Sequence, residues 1–201
     1  MIAVKSMVKQ SILVLTILCS VLSSGFSFAG EPTTRLNDIV DEMLAIMGQP
    51  DVEESAKKAA VMDVVDANVD FTAIAQRVVA KRWKKSADED KDEFKRLFRE
   101  VLTNTYYALL SEYTDERVDY LAETIKKERY ATVKTVIVSS GKKIPVTYRM
   151  ILKGGEWRIY DFVAEGISLV RNYGNSYKAL LKREGLAGLN ASLKKDLNKE
   201  G

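Results

Sequence analysis

The sequence offers one arrangement of side chains that could carry catalysis, at residues 160–165. Asp161 follows Tyr160 directly, and Glu165 stands four residues after Asp161. A carboxylate in an apolar cavity, with a tyrosine hydroxyl as donor, can abstract a proton next to a carbonyl group. Successive residues of a strand point to opposite faces, so Tyr160 and Asp161 are not expected to enter one cavity together. The competing interpretation of Asp161 is structural, as the partner of an arginine or of a helix N-terminus.

Histidine is absent from the 201 residues, and cysteine occurs once. The absence of histidine removes the most frequent general base, the Ser/His and Cys/His nucleophile pairs, and the commonest zinc ligand. The sequence also contains no GxGxxG, Walker, GxSxG, HExxH or CxxC motif. It therefore gives no local support to a nucleotide, hydrolase or metal site. We expect no enzyme activity, no metal and no cofactor other than a bound ligand.

Residues 1–29 have the pattern of a cleavable signal peptide. Two lysines precede an apolar stretch, Ile12 to Leu22, which is too short to span a membrane, and Ser27-Phe28-Ala29 is a small-x-small cleavage site. Residues 30–201 are then one mature domain. Cleavage removes Cys19, and an exported chain without cysteine fits a bacterial periplasm. The mature chain keeps 29 basic and 28 acidic residues, and this near-neutral balance disfavours a nucleic-acid partner.

The first part of the mature domain shows the 3.6-residue apolar period of amphipathic helices. The first helix is predicted from Thr33 to Met47, and the longest one carries an apolar stripe from Phe94 to Leu110. Short polar side chains are predicted to cap the other helix starts: Asp51 with Glu54, Asp70, and Ser86 with Glu89.

After Arg117 the apolar period changes to two and β-branched residues become frequent, which is the pattern of half-buried strands. Four strands are predicted: Val118 to Lys126, Arg129 to Val138, Lys143 to Leu152 and Glu156 to Val163. Short turns join them as hairpins, and two helices that separate at Gly185 follow. The order predicts an α+β fold, with helices packed on a curved four-stranded antiparallel sheet that encloses an apolar cavity, as in an NTF2-like cone.

Apolar and aromatic side chains are more numerous than so small a sheet needs. They either fill one another or line a cavity that holds an apolar ligand. Periodicity does not distinguish these alternatives. A third alternative is a periplasmic chaperone or adaptor that binds only protein, which would need a large exposed apolar patch.

A basic cluster surrounds Trp83, with Lys81 and Arg82 before it and Lys84 and Lys85 after it. Cations around a tryptophan are typical of a surface that meets anionic lipid headgroups or an acidic partner. The same cations would also complement the dipole at the C-terminal end of a helix. The sequence leaves both interpretations open.

The segment 157–173 carries the motif WxxYDxxxEGISLVxNY. Asp70-Phe71 opening a helix, an aromatic-rich helix from Phe94 to Tyr107, and LLxxxGLxGL at 180–189 accompany it. With these features the mature chain resembles the toluene-tolerance family, which provides the periplasmic phospholipid-binding component of the Mla (maintenance of lipid asymmetry) pathway.

This resemblance implies a periplasmic carrier that holds a phospholipid by its acyl tails and maintains outer-membrane lipid asymmetry. Its implied partners are an outer-membrane lipoprotein complex and an inner-membrane ABC transporter with a substrate-binding ring subunit. We expect a monomer. The alternatives are a carrier of another lipid, such as a hopanoid, and a small curved-sheet enzyme with Asp161 as general base.

Acyl chains need a deep dry cavity while the headgroup can stay in water, so few charged lining residues are expected. On the sheet the expected lipid-binding residues are Val136, Val138, Val146, Tyr148, Met150, Trp157 and Ile159. On the helices they are Ile74, Val78, Phe94, Phe98, Leu102 and Tyr106. A one-residue change in strand parity would exchange Trp157 and Ile159 for Tyr160 and Phe162.

Overall fold

A computed structural model describes residues 32–111, 117–139 and 141–200, so the predicted signal peptide lies outside the described residues. The first helices are α1 (Pro32–Met47), α2 (Glu54–Asn68), α3 (Phe71–Val79), a 3-10 turn (Ala80–Lys85) and α4 (Asp88–Ser111). The strands are β1 (Arg117–Lys126), β2 (Tyr130–Ser139), β3 (Lys142–Lys153), β4 (Glu156–Ala164) and β5 (Ile167–Ser168), and α5 (Leu169–Glu200) follows them. The α+β fold class is confirmed, and each end of the four predicted strands agrees within one residue.

The start of α3 is anchored through Asp70. Its carboxylate accepts a hydrogen bond from the Ala73 N–H at 2.9 Å, which confirms the predicted cap. Its backbone N–H donates to the Ile159 carbonyl at 2.9 Å, and Lys153 Nζ lies 3.1 Å from Oδ2. Asp70 therefore ties the junction of α2 and α3 to β3 and β4.

The other two predicted caps are wrong. Glu53, not Asp51, occupies the N-cap position of α2, and its side chain makes no capping bond. The Ser86 hydroxyl donates to the Arg82 carbonyl at 3.0 Å instead of capping α4. Because the 3-10 turn continues to Lys85, Ser86 belongs to the end of that turn.

The five strands form an antiparallel meander in the order β1-β2-β3-β4-β5, one more strand than predicted. One face of this sheet lies under α1, whose Leu36 is buried with Ala131, Val133, Met150 and Trp157. We call this side the covered face. Residues paired across antiparallel strands share a face, so the register assigns to it Ile137, Ile144, Val146, Tyr148, Ile159, Phe162 and Ala164 as well.

A second apolar core lies among α3, α4 and α5, and we call it the helical core. Its fully buried side chains are Ile74, Ala75, Val78, Val79, Phe94, Leu97, Phe98, Leu181, Leu186, Leu189 and Leu193. Helix α5 bends at Gly185, whose φ of 72° and ψ of −165° confirm the predicted break. Among the described residues, no helix has the length and apolar character needed to cross a membrane.

Candidate functional site

The residues predicted to bind lipid fall into two separate groups. Ile74, Val78, Phe94 and Phe98 lie in the helical core, and Leu102 packs against it half-buried. Val146, Tyr148, Met150, Trp157 and Ile159 lie on the covered face of the sheet. We expected α4 to face the sheet across one cavity. Phe94 and Phe98 of α4 instead pack among helices, in the helical core.

Phe94 and Phe98 are enclosed by other aromatic rings. Their own rings stack with centroids 5.3 Å apart and planes inclined by 11°. From α5, the Tyr173 ring meets Phe98 edge-on at 4.9 Å, and the Tyr177 ring meets Phe94 edge-on at 6.4 Å. On the next turns of α4, burial and the neighbouring Tyr173 raise the pKa of Tyr106 to about 12. This half of α4 thus packs against α5.

Two predicted lining residues, Val136 and Val138, lie on the opposite face of the sheet. Ser139 pairs with Lys142, so the register places Val136 across from Pro145 and Val138 across from Lys143. Val146 and Tyr148 consequently share a face with the odd-numbered residues of β2. The prediction that Val136 and Val138 line the same surface as Val146 is wrong, because in this register odd-numbered residues of β2 share a face with even-numbered residues of β3.

The two ends of the covered face differ in burial. At one end Ala131, Met150 and Trp157 are buried beneath Leu36. At the other end Ile137, Ile144 and Ala164 are only half-buried, although they are apolar and lie in the same sheet. This apolar surface is therefore covered by α1 near Trp157 and partly accessible near Ile144.

Tyr148 lies between these two ends. Its ring meets Phe162 at a centroid distance of 5.8 Å, and its side chain keeps some accessible surface. Burial nevertheless raises the pKa of its hydroxyl well above the ordinary value near 10. Tyr148 therefore lies in largely apolar surroundings on the covered face.

A β-bulge in β4 decides which side chains reach the covered face. Arg149 pairs with Asp161 and Met150 with Ile159, so Tyr160 is the extra residue. Ile159 and Phe162 therefore both lie on the covered face, while the Tyr160 ring meets the Tyr130 ring edge-on at 6.2 Å on the opposite face. The sequence allowed either Trp157 and Ile159 or Tyr160 and Phe162 to line the cavity. Because of the bulge, each alternative is correct for only part of β4.

The bulge also turns Asp161 to the same side as Tyr160, so the prediction that they must point apart is wrong. Arg149 Nη1 donates to Asp161 Oδ2 at 2.8 Å, and the Ser168 hydroxyl donates to the same oxygen at 2.8 Å. Oδ1 accepts from the N–H groups of Phe162 and Val170 at 3.0 and 3.1 Å. A general base needs a free lone pair directed into a cavity, and this ion-paired carboxylate does not meet that condition.

Sequence reasoning missed several residues of the covered face, including Leu36, Val40 and Tyr120, and it named Phe162 only as an alternative. The signal for the first two was the apolar stripe of α1, which requires a sheet or helix to cover it. The described residues contain no group of three or more histidine, cysteine, aspartate or glutamate side chains placed to hold a metal ion.

A separate open groove of about 390 Å³ lies between α1 and α2. Its wall mixes apolar and charged groups, and Arg35 Nη2 donates to the buried Asn68 Oδ1 at 2.6 Å. The charged groups Glu42 and Asp63 also line it. This polar lining distinguishes the groove from the covered face.

Helices packed on an open antiparallel sheet define the α+β class to which this chain belongs. Residues 37–195 match the family model described as MlaC protein. This range includes most of the sequence, and the chain therefore belongs to the MlaC family.

One relative is the intermembrane phospholipid transport system binding protein MlaC of Haemophilus influenzae, 20% identical over 123 residues. The alignment covers 59% of this chain and 58% of that relative, so the chain matches a little over half of its length. A solved structure, the phospholipid-binding protein from Ralstonia solanacearum in complex with a phospholipid, is 22% identical with a TM-score of 0.76. That match covers 85% of this chain and 98% of the solved one, and it shows a shared fold.

Proposed function

We propose that this chain is a phospholipid-binding carrier that holds acyl chains against the covered face of the sheet. The observation that carries the proposal is the apolar covered face, which is buried beneath α1 at Trp157 and partly accessible at Ile144. Each methylene that leaves water contributes about 0.8 kcal/mol, so two acyl chains supply ample binding energy. The charged headgroup stays in water, where it needs no buried counter-charge.

The cargo class is supported by the family and by the two relatives, one named for phospholipid transport and one solved with a phospholipid. We extend the proposal to a periplasmic monomer, exported by a signal peptide at residues 1–29. It would exchange lipid with an outer-membrane lipoprotein complex and with an inner-membrane ABC transporter that carries a ring subunit. In this role it would maintain the lipid asymmetry of the outer membrane.

The proposed wall of the acyl-chain site combines predicted and newly found residues. From the sheet it includes Val146, Tyr148, Met150, Trp157, Ile159, Phe162 and Ile144, and from α1 it includes Leu36. Leu102 and Tyr106, half-buried on α4, lie towards the helical core and α5, and their contact with lipid stays a prediction.

Native mass spectrometry of residues 30–201, purified from a bacterial periplasm, tests the cargo. We expect a species heavier than the chain by one phospholipid, and extraction should recover that lipid. A chain that carries no lipid, and takes up none from vesicles, would overturn the proposal. Transfer of a fluorescent phospholipid from donor to acceptor vesicles, in proportion to protein concentration, tests the carrier role.

A further inference from the structure

Two tyrosines on different strands share the covered face. Tyr120 of β1 pairs with Thr135, and Tyr148 of β3 pairs with Val133. Thr135 and Val133 are alternate residues of β2, so both tyrosine side chains lie on the side that α1 covers. Both pack against the cluster around Leu36. The covered face thus contains the hydroxyl groups of these two tyrosines in largely apolar surroundings.

These hydroxyls lack partners within the described part of the chain. The Tyr120 Oη is buried and makes no hydrogen bond there, and the Tyr148 hydroxyl makes none either. The Thr135 hydroxyl on the same face, in contrast, donates to the Val146 carbonyl at 3.2 Å. Buried polar groups in folded proteins are almost always paired. The buried, unpaired Tyr120 hydroxyl therefore points to a ligand that supplies the acceptor, and the half-buried Tyr148 lies on the same face.

The surrounding charges favour an uncharged acceptor. Burial, together with the carboxylates of Asp41 and Asp38 on α1, raises the pKa of Tyr120 to about 12. Tyr120 and Tyr148 consequently stay protonated at neutral pH and can donate hydrogen bonds. The same two carboxylates repel a phosphate group that approaches Tyr120. A carbonyl oxygen accepts a hydrogen bond without bringing a negative charge into the pocket.

We propose that the hydroxyls of Tyr120 and Tyr148 form a polar subsite that donates hydrogen bonds to the ester carbonyl oxygens of a diacyl lipid. This inference rests on the proposed function and names the part of the lipid that the pocket recognises. Met150 and Trp157 lie on the sealed side of the subsite and Ile144 on the accessible side. The subsite would therefore set how deep the acyl chains enter and would leave the phosphate outside.

The test compares two phospholipids with the same headgroup and chain length, one a diester and one a diether. We expect wild type to bind the diester about threefold to tenfold more tightly, as a neutral hydrogen bond allows. The double variant Tyr120→Phe, Tyr148→Phe should bind both lipids with the lower affinity of the diether. Tyr130→Phe, on the opposite face, is the matched control and should keep the preference.

Equal binding of the two lipids by wild type would overturn the subsite and leave the carrier function intact. Failure to bind either lipid would instead contradict the carrier function. If the double variant does not fold, infrared spectra of the carbonyl-labelled diester on wild type decide the question. A carbonyl stretch at lower frequency than in a hydrocarbon solvent supports the hydrogen bonds, and an unshifted stretch refutes them.

Discussion

Ile144 and Val138 stand on neighbouring strands, one position apart in register, and point to opposite faces of the sheet. Ile144 pairs with Ile137, and Val138 pairs with Lys143. Both side chains are half-buried near the same end of the sheet. Matched substitutions at these two positions therefore test separately whether lipid binds to the covered face or to the opposite face.

A carboxylate on the covered face should abolish lipid binding. We expect Ile144→Asp to reduce copurified lipid at least about tenfold, because an ionised group next to acyl chains loses its hydration. Val138→Asp should leave the lipid content close to that of wild type. Quantitative lipid extraction measures both, with thermal melting to verify that each variant is folded. Loss of lipid in Val138→Asp alone would place the site on the other face.

Asp161 should be a structural residue whose removal affects stability. We expect Asp161→Ala to lower the free energy of unfolding by about 2–4 kcal/mol, since it leaves Arg149 unpaired and removes a cap from α5. The control is Asp196→Ala, which removes an exposed ion pair with Lys199 and should change stability by about 0.5 kcal/mol or less. Urea unfolding measures both, and similarly small effects would contradict the structural role.

The bend of α5 should depend on glycine at position 185. Its φ of 72° with a ψ of −165° is accessible almost only to glycine. We expect Gly185→Ala to destabilise the protein by about 1–3 kcal/mol. Gly174→Ala is the control, because a Cβ there would meet the Val78 carbonyl oxygen at an ordinary 3.5 Å. It should be neutral or stabilise by up to about 1 kcal/mol. Equal melting temperatures for the two variants would refute this account of the bend.

The buried tyrosines should make the protein sensitive to alkaline pH. Burial raises the pKa of Tyr106 and Tyr120 to about 12, against an ordinary value near 10. A raised pKa in the folded state gives stability that is complete below pH 10 and is lost as the pH rises from 10 to 12. Urea unfolding between pH 9 and 11.5 should show this loss, and Tyr106→Phe should make it less steep. An identical slope in wild type and variant would contradict the prediction.

The strands could be predicted closely because each one alternates apolar and polar residues between short turns. Which strand residues share a face was harder to predict. Val136 was assigned to the face of Val146, although the pairing of Ser139 with Lys142 dictates the opposite. The hairpin loop between Ser139 and Lys142 contained that information, since loop length sets the register.

Other features had no local signal. The bulge at Tyr160 arises from pairing with β3, and the sequence of β4 alone reads as a regular strand. The apolar stripe with Phe94 and Phe98 predicted a covered helix face but not the element that covers it. The predicted cover was the sheet, whereas the rings of Tyr173 and Tyr177 provide it. Such tertiary choices depend on contacts between distant parts of the chain.

The central claim is that acyl chains occupy the covered face of the sheet. A phospholipid with a photoreactive group at the end of one acyl chain tests it most directly, with the labelled residues identified by mass spectrometry. The account predicts labels on the covered face, at residues such as Met150, Trp157 and Phe162. Labels on Val136 and Val138, or only within the helical core around Phe94, would contradict it.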